Sequence, residues 1–146
     1  MKFTVSVTIN KPRDIVVKEF YNPENLKNWQ DGFLRIEYLE GEPGQTGSTA
    51  FMYYKQGGGE MELKETILEN KLPESFKGLY EHKHMVNTMN STFTEVSFNE
   101  TRYHTEIEYT QFIGFVPKLL AKLFPGLFKK QVLKWMTNMK IFIEKH

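Results

Sequence analysis

The sequence predicts an α+β fold in which a curved antiparallel β-sheet wraps around one long C-terminal helix. Apolar residues recur with three-and-four spacing from Val116 to Lys145, which is the period of one helical face. Residues 1–115 consist mostly of alternating apolar and polar residues separated by turn segments, which is typical of consecutive strands. Because burial of each large apolar side chain contributes about 1.5–3 kcal/mol, we expect the sheet to cover the helical stripe.

The first strand and two short helices are predicted at the N-terminal end. Residues 3–9 alternate between apolar and polar side chains and end at Asn10-Lys11-Pro12. Asn10 is a favoured capping residue and proline is favoured in a first helical turn, so a short helix begins here. The segment Tyr21–Glu24 interrupts this helix and starts a second one that ends near Trp29. Trp29 is either a core anchor or a wall at a cavity entrance.

Six further strands follow, most of them bounded by turn segments that contain Gly, Pro or Asn. We place them at residues 33–40, 49–55, 60–69, 75–83, 86–98 and 101–112. Short connections between consecutive strands favour an antiparallel meander. The Gly57-Gly58-Gly59 segment joins two strands and is therefore interpreted as a hairpin turn, since a phosphate-binding loop opens a helix.

Pro125-Gly126 lies inside the C-terminal helical pattern. Proline removes a backbone hydrogen bond and clashes with the preceding turn, so a kink or a break is predicted at this point. A helix of about 20 residues after the break would span about 30 Å, which matches the roughly 33 Å of a strand of about 10 residues. Residues 116–124 are predicted to form a separate turn or short helix.

Length and composition narrow the class of protein. The 146 residues predict one domain that spans 1–146. Cysteine is absent, which excludes disulfides, thiolate metal sites and cysteine nucleophiles. The sequence shows neither an apolar leader nor a run of about 18 apolar residues. We therefore expect a cytoplasmic protein without a transmembrane segment.

The charge is unevenly distributed along the chain. Residues 116–146 hold seven Lys and one Glu, a net charge of +6, whereas residues 1–115 carry a net charge of −5. A basic amphipathic helix allows a weak contact with an anionic membrane or with an acidic protein. The alternative is that these lysines form the solvated back of a core helix that lies against an acidic sheet. The sequence contains no known nucleic-acid-binding motif in which basic residues alternate with exposed aromatic residues, so no nucleic-acid partner is predicted.

Two groups of His and Glu residues are candidates for chemistry. His82 and His84 share one strand face, but zinc needs three or four converging ligands and the spacing supplies no third, so neither a metal nor another cofactor is predicted. His104, Glu106 and Glu108 lie on the more polar face of the last strand. A catalytic acid or base needs partial burial to shift its pKa. We expect this row to face solvent and predict no catalytic residue.

Aromatic and methionine side chains dominate the predicted inward faces of the strands and the helix. Such side chains form adaptable apolar walls, and tyrosine hydroxyls can orient a ligand. The alternative is that the same side chains close a solid core. The candidate ligand-lining residues are Trp29, Phe51, Tyr53, Met61, Leu63, Phe76, Tyr80, Phe93, Ile107, Tyr109, Leu127, Trp135, Met136 and Met139.

The element order and several local strings resemble the START-like helix-grip (SRPBCC) superfamily, in particular its bacterial polyketide cyclase/dehydrase and lipid-transport branch. The strings are Ile9–Val16, Tyr21–Trp29, the glycines Gly41 and Gly47 that flank a hairpin, and the Leu72-Pro73-Glu74 turn. The resemblance covers essentially the whole chain. It implies a seven-stranded antiparallel sheet that grips the long helix, two short helices after the first strand, and a cavity between the sheet and the helix.

Members of this superfamily bind lipids, sterols, polyketides or other apolar molecules, and some are cyclases, dehydratases or co-chaperone modules. The resemblance therefore implies binding of a small hydrophobic or amphipathic ligand, with no universal catalytic residue to transfer. Two alternatives stay open. One is a polyketide cyclase or dehydratase, which requires an ionisable side chain inside the cavity. The other is a module that contacts a protein or an anionic membrane through its Lys-rich helix.

Overall fold

The computed structural model describes residues 1–146 and contains one sheet, four α-helices and one short 3-10 turn. The strands and helices in chain order are β1 (Lys2–Ile9), α1 (Arg13–Tyr21), the 3-10 turn Pro23–Asn25, α2 (Leu26–Trp29), β2 (Phe33–Glu40), β3 (Thr49–Gln56), β4 (Gly59–Lys71), β5 (Ser75–Glu81), β6 (Met85–Ser97), β7 (Glu100–Phe112), α3 (Phe115–Leu123) and α4 (Gly126–Lys145). This order confirms the predicted α+β helix-grip fold.

All seven strands are antiparallel and form one sheet in the order β1-β7-β6-β5-β4-β3-β2. Strands β2 to β7 are a meander, as their short connections predict. The first strand, by contrast, pairs with the last: Phe3 lies opposite Ile107 and Val7 lies opposite Tyr103. This long-range pairing places the N-terminal strand beneath the C-terminal helix.

The break predicted at Pro125 is present. Helix α3 ends at Leu123, and Pro125 is the residue before α4, which then runs for 20 residues. The two helices differ in how they contact the rest of the protein. Three residues of α4 are buried, whereas α3 has no buried residue. The expectation that the sheet covers the whole apolar stripe is therefore wrong for its first part.

The core lies at one end of the sheet, where the second half of α4 crosses β1 and β7. Phe20 of α1 joins the layers, because its ring lies 4.9–6.0 Å from the rings of Trp29, Phe76, Phe93 and Tyr103. The cluster of fully buried residues consists of Val5, Ile9, Val16, Trp29, Phe93, Tyr103, Met136, Met139 and Ile143.

No helix in this structure is long and apolar enough to cross a membrane.

Replacement of Met139 by Ala should lower the free energy of unfolding by about 2–5 kcal/mol, since the truncation leaves a cavity in a packed core. Met139 is 0% exposed. Ile141→Ala, on the same helix but about half exposed, is the matched control and should cost about 0.5 kcal/mol or less. Urea denaturation measures both, and equal losses would contradict the placement of the core.

Candidate ligand-binding groove

The concave face of the sheet is defined by its register. Residues directly opposite each other on antiparallel strands project to the same side. One such row crosses five strands, and its members are Ala50, Glu65, Tyr80, Asn87 and Tyr109. The next row lies nearer the core and consists of Ile67, Gly78, Met89, Ile107 and Phe3. Both rows face the side on which α4 lies, because Ile67 and Ile107 are buried there.

Part of this concave face stays accessible. The buried residues of the sheet lie mainly on β1, on β7, at the core ends of β5 and β6, and also on β3, where Tyr54 packs against α4, whereas several inward side chains of the strands between them are only half-buried. We call this half-buried surface the concave groove. Its members are Met61, Leu63, Glu65, Tyr80, Asn87, Met89 and Tyr109.

Two aromatic side chains of α4 form the helix side of the groove. Trp135 stacks on Tyr54 of β3, with ring centroids 5.6 Å apart and an interplanar angle of 20°. Phe128 packs edge-on against Tyr109 at 5.1 Å and against Phe112 at 5.6 Å. The helix therefore touches the sheet at two separate places along the groove.

A carboxyl group and a phenol meet inside the groove. The Tyr80 hydroxyl donates a hydrogen bond of 2.9 Å to Glu65. Burial raises the pKa of the Glu65 carboxyl, although the hydrogen bond from Tyr80 partly opposes this shift. Burial and the nearby Glu65 charge both raise the pKa of Tyr80. Because each group is held by the other, the pair forms a fixed polar point on an otherwise mostly apolar surface.

Gly78 makes the Glu65–Tyr80 contact possible. A Cβ atom built at position 78 would lie 2.6 Å from the Tyr80 hydroxyl and 2.8 Å from its ring. Contacts this short are not tolerated, so any other residue at this position would displace the Tyr80 side chain. The glycine thus allows the Tyr80 ring to lie flat over position 78, so that its hydroxyl reaches the Glu65 carboxyl group on the neighbouring strand β4.

Further polar groups lie at the α4 side of the groove. The Tyr54 hydroxyl donates a hydrogen bond of 2.7 Å to the side-chain carbonyl of Gln30, just after α2. Burial raises the pKa of Tyr54 well above its ordinary value, and the Glu65 charge adds to this shift. The indole N–H of Trp135 is buried and has no hydrogen-bond partner in the protein. An unpaired buried donor costs about 1–3 kcal/mol.

The structure divides the predicted lining residues into two main groups. Five are half-buried on the concave side or its helix wall: Met61, Leu63, Tyr80, Tyr109 and Trp135. Six are buried in the packed interior and are less than 10% exposed: Trp29, Phe76, Phe93, Ile107, Met136 and Met139. The solid-core alternative therefore describes the second group better.

Three predicted placements are wrong. Phe51 and Tyr53 lie on the convex face, because Met52 and Tyr54 are the buried residues of β3. The Arg35 guanidinium lies 4.1 Å from the centre of the Tyr53 ring, and the Tyr53 hydroxyl donates to Glu37. Leu127 lies in the first turn of α4 and is 53% exposed, so it does not line the concave side.

Three groove residues are absent from the sequence-based set, namely Glu65, Asn87 and Met89. Glu65 carries a detectable signal, since it occupies the inward position of the alternation Met61, Leu63, Glu65 and Ile67. A charged residue among inward-facing apolar residues either destabilises the packing or serves a function. Asn87 and Met89 share a face of β6 with Phe93, because they lie six and four residues before it, so the period of two also carries a signal for them.

The His and Glu row of β7 faces outward, as predicted. Ser6 is hydrogen-bonded to His104 on the neighbouring strand, and Lys2 forms an ion pair with Glu106 at 3.2 Å. His82 and His84 have ring centroids 5.4 Å apart. No group of three or more His, Cys, Asp or Glu side chains is arranged to hold a metal ion.

Two surface crevices lie outside the groove. One of about 380 Å³ lies between α1, the β2–β3 loop and the end of β4, and Tyr21, Gln45 and Asn70 are among its walls. Another of about 250 Å³ lies on the convex face beside Arg102 and His104. Neither is lined by a predicted ligand-binding residue.

Comparison with known proteins identifies the fold. No family model matches the sequence, and no curated protein matches it significantly. A conserved protein from Geobacillus kaustophilus superposes with a TM-score of 0.81 at 16% identity, covering 99% of this chain and 96% of that chain. The Zhui aromatase/cyclase from Streptomyces sp. R1128 gives 0.81 at 8% identity, with coverage of 99% and 94%. Ara h 8.0201 gives 0.71 at 11% identity, with coverage of 100% and 99%.

These likenesses define the architecture. The chain has a helix-grip fold, in which a seven-stranded antiparallel sheet curves around a long C-terminal helix, as the sequence resemblance implies. At identities this low the comparisons carry no residue roles, so the chemistry of the groove is argued from its own side chains.

The raised pKa of Glu65 predicts a pH-dependent effect of Glu65→Gln. The folded state holds this proton more tightly than the unfolded state, so the native protein loses stability as pH rises from the unfolded pKa to the folded pKa. The glutamine variant lacks this loss, and its stability relative to the native protein should therefore increase from pH 4 to pH 8. Urea denaturation across this range measures it.

Glu62→Gln is the matched control, because Glu62 is an exposed residue on the convex face of the same strand. It should change the free energy of unfolding by about 0.5 kcal/mol or less across the range. A Glu65→Gln difference that is constant with pH, or that falls as pH rises, would contradict the environment assigned to Glu65.

Proposed function

We propose that the protein binds a small molecule with an apolar body and one hydrogen-bonding group in the concave groove. The observation that carries this proposal is the half-buried apolar surface around the Glu65–Tyr80 pair. A helix-grip core could bury these side chains, yet here the packed core lies at one end of the sheet and these side chains are only half-buried.

The apolar part of the ligand is expected to contact Met61, Leu63 and Met89. Covering apolar surface contributes about 25 cal/mol per Å², and methionine side chains adapt to different shapes. The hydrophobic effect therefore favours an aromatic or aliphatic body and does not distinguish sharply between them.

The polar part is expected to lie at the Glu65–Tyr80 pair. A carboxyl group can accept a hydrogen bond when ionised and can also donate one when protonated. A hydroxyl or ketone group fits these partners, whereas a carboxylate would meet the Glu65 charge.

A fluorescent apolar probe tests this proposal. Phenyl-naphthylamine is uncharged and brightens in apolar surroundings. Leu63→Gln should weaken its binding about tenfold or more, since the loss of one buried leucine contact is worth about 1.5–3 kcal/mol. Fluorescence titration of the purified protein measures the dissociation constant.

The matched control is Leu68→Gln, which makes the same substitution on the same strand at an exposed position. It should leave the probe affinity within about twofold. Absence of saturable binding by the native protein, or equal weakening by the two variants, would contradict a ligand site in the groove.

A second candidate function, a dehydratase or cyclase, is favoured by one specific observation. Glu65 is an ionisable group inside the groove, and its raised pKa moves it toward the range in which a carboxyl group can exchange protons near neutral pH. Glu65 would remove the proton from the carbon between a ketone and a carbinol carbon. The hydroxyl would then leave as water with a proton from solvent.

Dehydration of a β-hydroxy ketone tests this second candidate. The substrate 4-hydroxy-4-phenylbutan-2-one becomes a conjugated enone, which absorbs strongly in the near ultraviolet. The native protein should accelerate this reaction, and Glu65→Gln should abolish the acceleration while still binding phenyl-naphthylamine. Equal rates for the native and variant proteins would exclude Glu65 as a base.

A further inference from the structure

Exposed large apolar side chains are most concentrated in α3 and the start of α4. We call this surface the α3 patch, and its members are Phe115, Val116, Leu119, Leu120, Leu123, Phe124 and Leu127. Their side chains are between 40% and 78% exposed. Soluble monomers rarely expose an apolar patch of this kind unless it is an interaction site.

The apolar residues of α3 share one face. At 3.6 residues per turn, Phe115, Val116, Leu119, Leu120 and Leu123 fall within an arc of about 140°. None of them is buried against the rest of the protein. Helix α3 is thus amphipathic, but its apolar face points away from the core that amphipathic helices usually cover.

Positive charge surrounds the patch. Lys118 and Lys122 lie at one edge of the apolar arc of α3, and Lys129 and Lys130 follow in the first turns of α4. None of these four lysines forms an ion pair within the protein. The chain contains no Asp or Glu between Glu108 and Glu144. The surface is therefore complementary to a partner that is both apolar and anionic.

A second copy of the chain fits this surface poorly. A symmetric dimer through the α3 patch would bring the same lysines of two protomers together, and like charges across an interface are unfavourable. An anionic bilayer has the required combination, since it offers acyl chains to the apolar face and phosphate groups to the lysines.

We propose that the α3 patch docks on anionic lipid membranes, with α3 lying in the plane of the interface. Its apolar side chains enter about 5–10 Å, to the level of the headgroup and acyl boundary, and the lysines contact lipid phosphates. Helix α3 directly follows β7, whose Tyr109 and Phe112 pack against Phe128 of α4. Docking would therefore bring this end of the concave groove to the membrane surface, although the docking itself does not require a groove ligand.

Vesicle flotation tests this proposal with the full-length protein. The vesicles contain either equimolar phosphatidylglycerol and phosphatidylcholine or phosphatidylcholine alone. We expect binding to the anionic vesicles, at least tenfold weaker binding to the neutral ones, and a marked loss between about 0.1 M and 1 M salt, where the screening length falls from about 10 Å to 3 Å.

Two variants separate the apolar and the ionic contribution. The double variant Leu119→Gln with Leu123→Gln should lower the affinity for anionic vesicles at least tenfold. Lys118→Gln with Lys122→Gln should lower it about 30-fold, which corresponds to about fivefold for each lysine near a charged surface. All four positions are exposed, so both variants should keep the native circular dichroism spectrum.

The matched control combines Val96→Gln and Ile141→Gln, two exposed apolar residues outside the patch, and should bind vesicles like the native protein. Three results would overturn the proposal. The first is that the native protein does not bind anionic vesicles. The second is that the Leu119→Gln, Leu123→Gln variant binds them as tightly as the native protein. The third is that the native protein forms a dimer without lipid, that the Leu119→Gln, Leu123→Gln variant is monomeric, and that neither binds vesicles. Phenyl-naphthylamine binding should persist in the α3 variants, which separates this test from that of the groove.

Discussion

The packing of the second half of α4 against β1 and β7 is the contact on which the rest of the structure depends. Met136, Met139 and Ile143 fill the space above these strands. Polar contacts fix the C-terminal end of the helix, because Lys140 donates to the Thr8 carbonyl at 2.7 Å and Glu144 accepts from the Asn10 N–H at 2.8 Å. From this position α4 reaches β3 through the stack of Trp135 on Tyr54, but the inward side chains of β4, β5 and β6 between these contacts stay half-buried. The accessible groove is the direct consequence.

Glu65 is the residue in this groove that packing alone does not explain. Burial opposes its ionisation, and its single hydrogen bond comes from Tyr80, which needs Gly78 to reach it. A leucine at this position would continue the apolar row of β4 without any of these requirements. Sequences break local packing rules mainly at functional positions, and the three residues together therefore support a site that recognises a polar group.

Local signals explain why much of the fold could be predicted. Turn residues mark the strand ends, and Pro125 marks the helix break, because both act through the backbone of a few neighbouring residues. The pairing of β1 with β7 has no such signal, since it joins residues about a hundred positions apart. The resemblance to a known fold implied that all seven strands form one antiparallel sheet, but it did not specify which strand the first one pairs with.

The ligand-lining residues were predicted less accurately than the fold, because their positions depend on strand faces and on tertiary packing. Strand β3 carries large apolar side chains on both faces, so alternation could not distinguish Phe51 and Tyr53 from Met52 and Tyr54. Helical periodicity identified the apolar face of α3 but not whether another element covers it. Periodicity indicates which residues share a helical face. Whether another element packs against that face depends on the tertiary structure, in particular on where α4 lies on the sheet.

Methyl NMR of labelled methionines tests the central claim, a ligand site in the concave groove, most directly. The chain has seven methionines; Met61 and Met89 lie in the groove, whereas Met136 and Met139 are buried in the core. On titration with phenyl-naphthylamine, the Met61 and Met89 methyl signals should shift with one common dissociation constant while that of Met139 stays in place. Saturable shifts confined to methionines outside the groove, or no shift at all, would contradict the account.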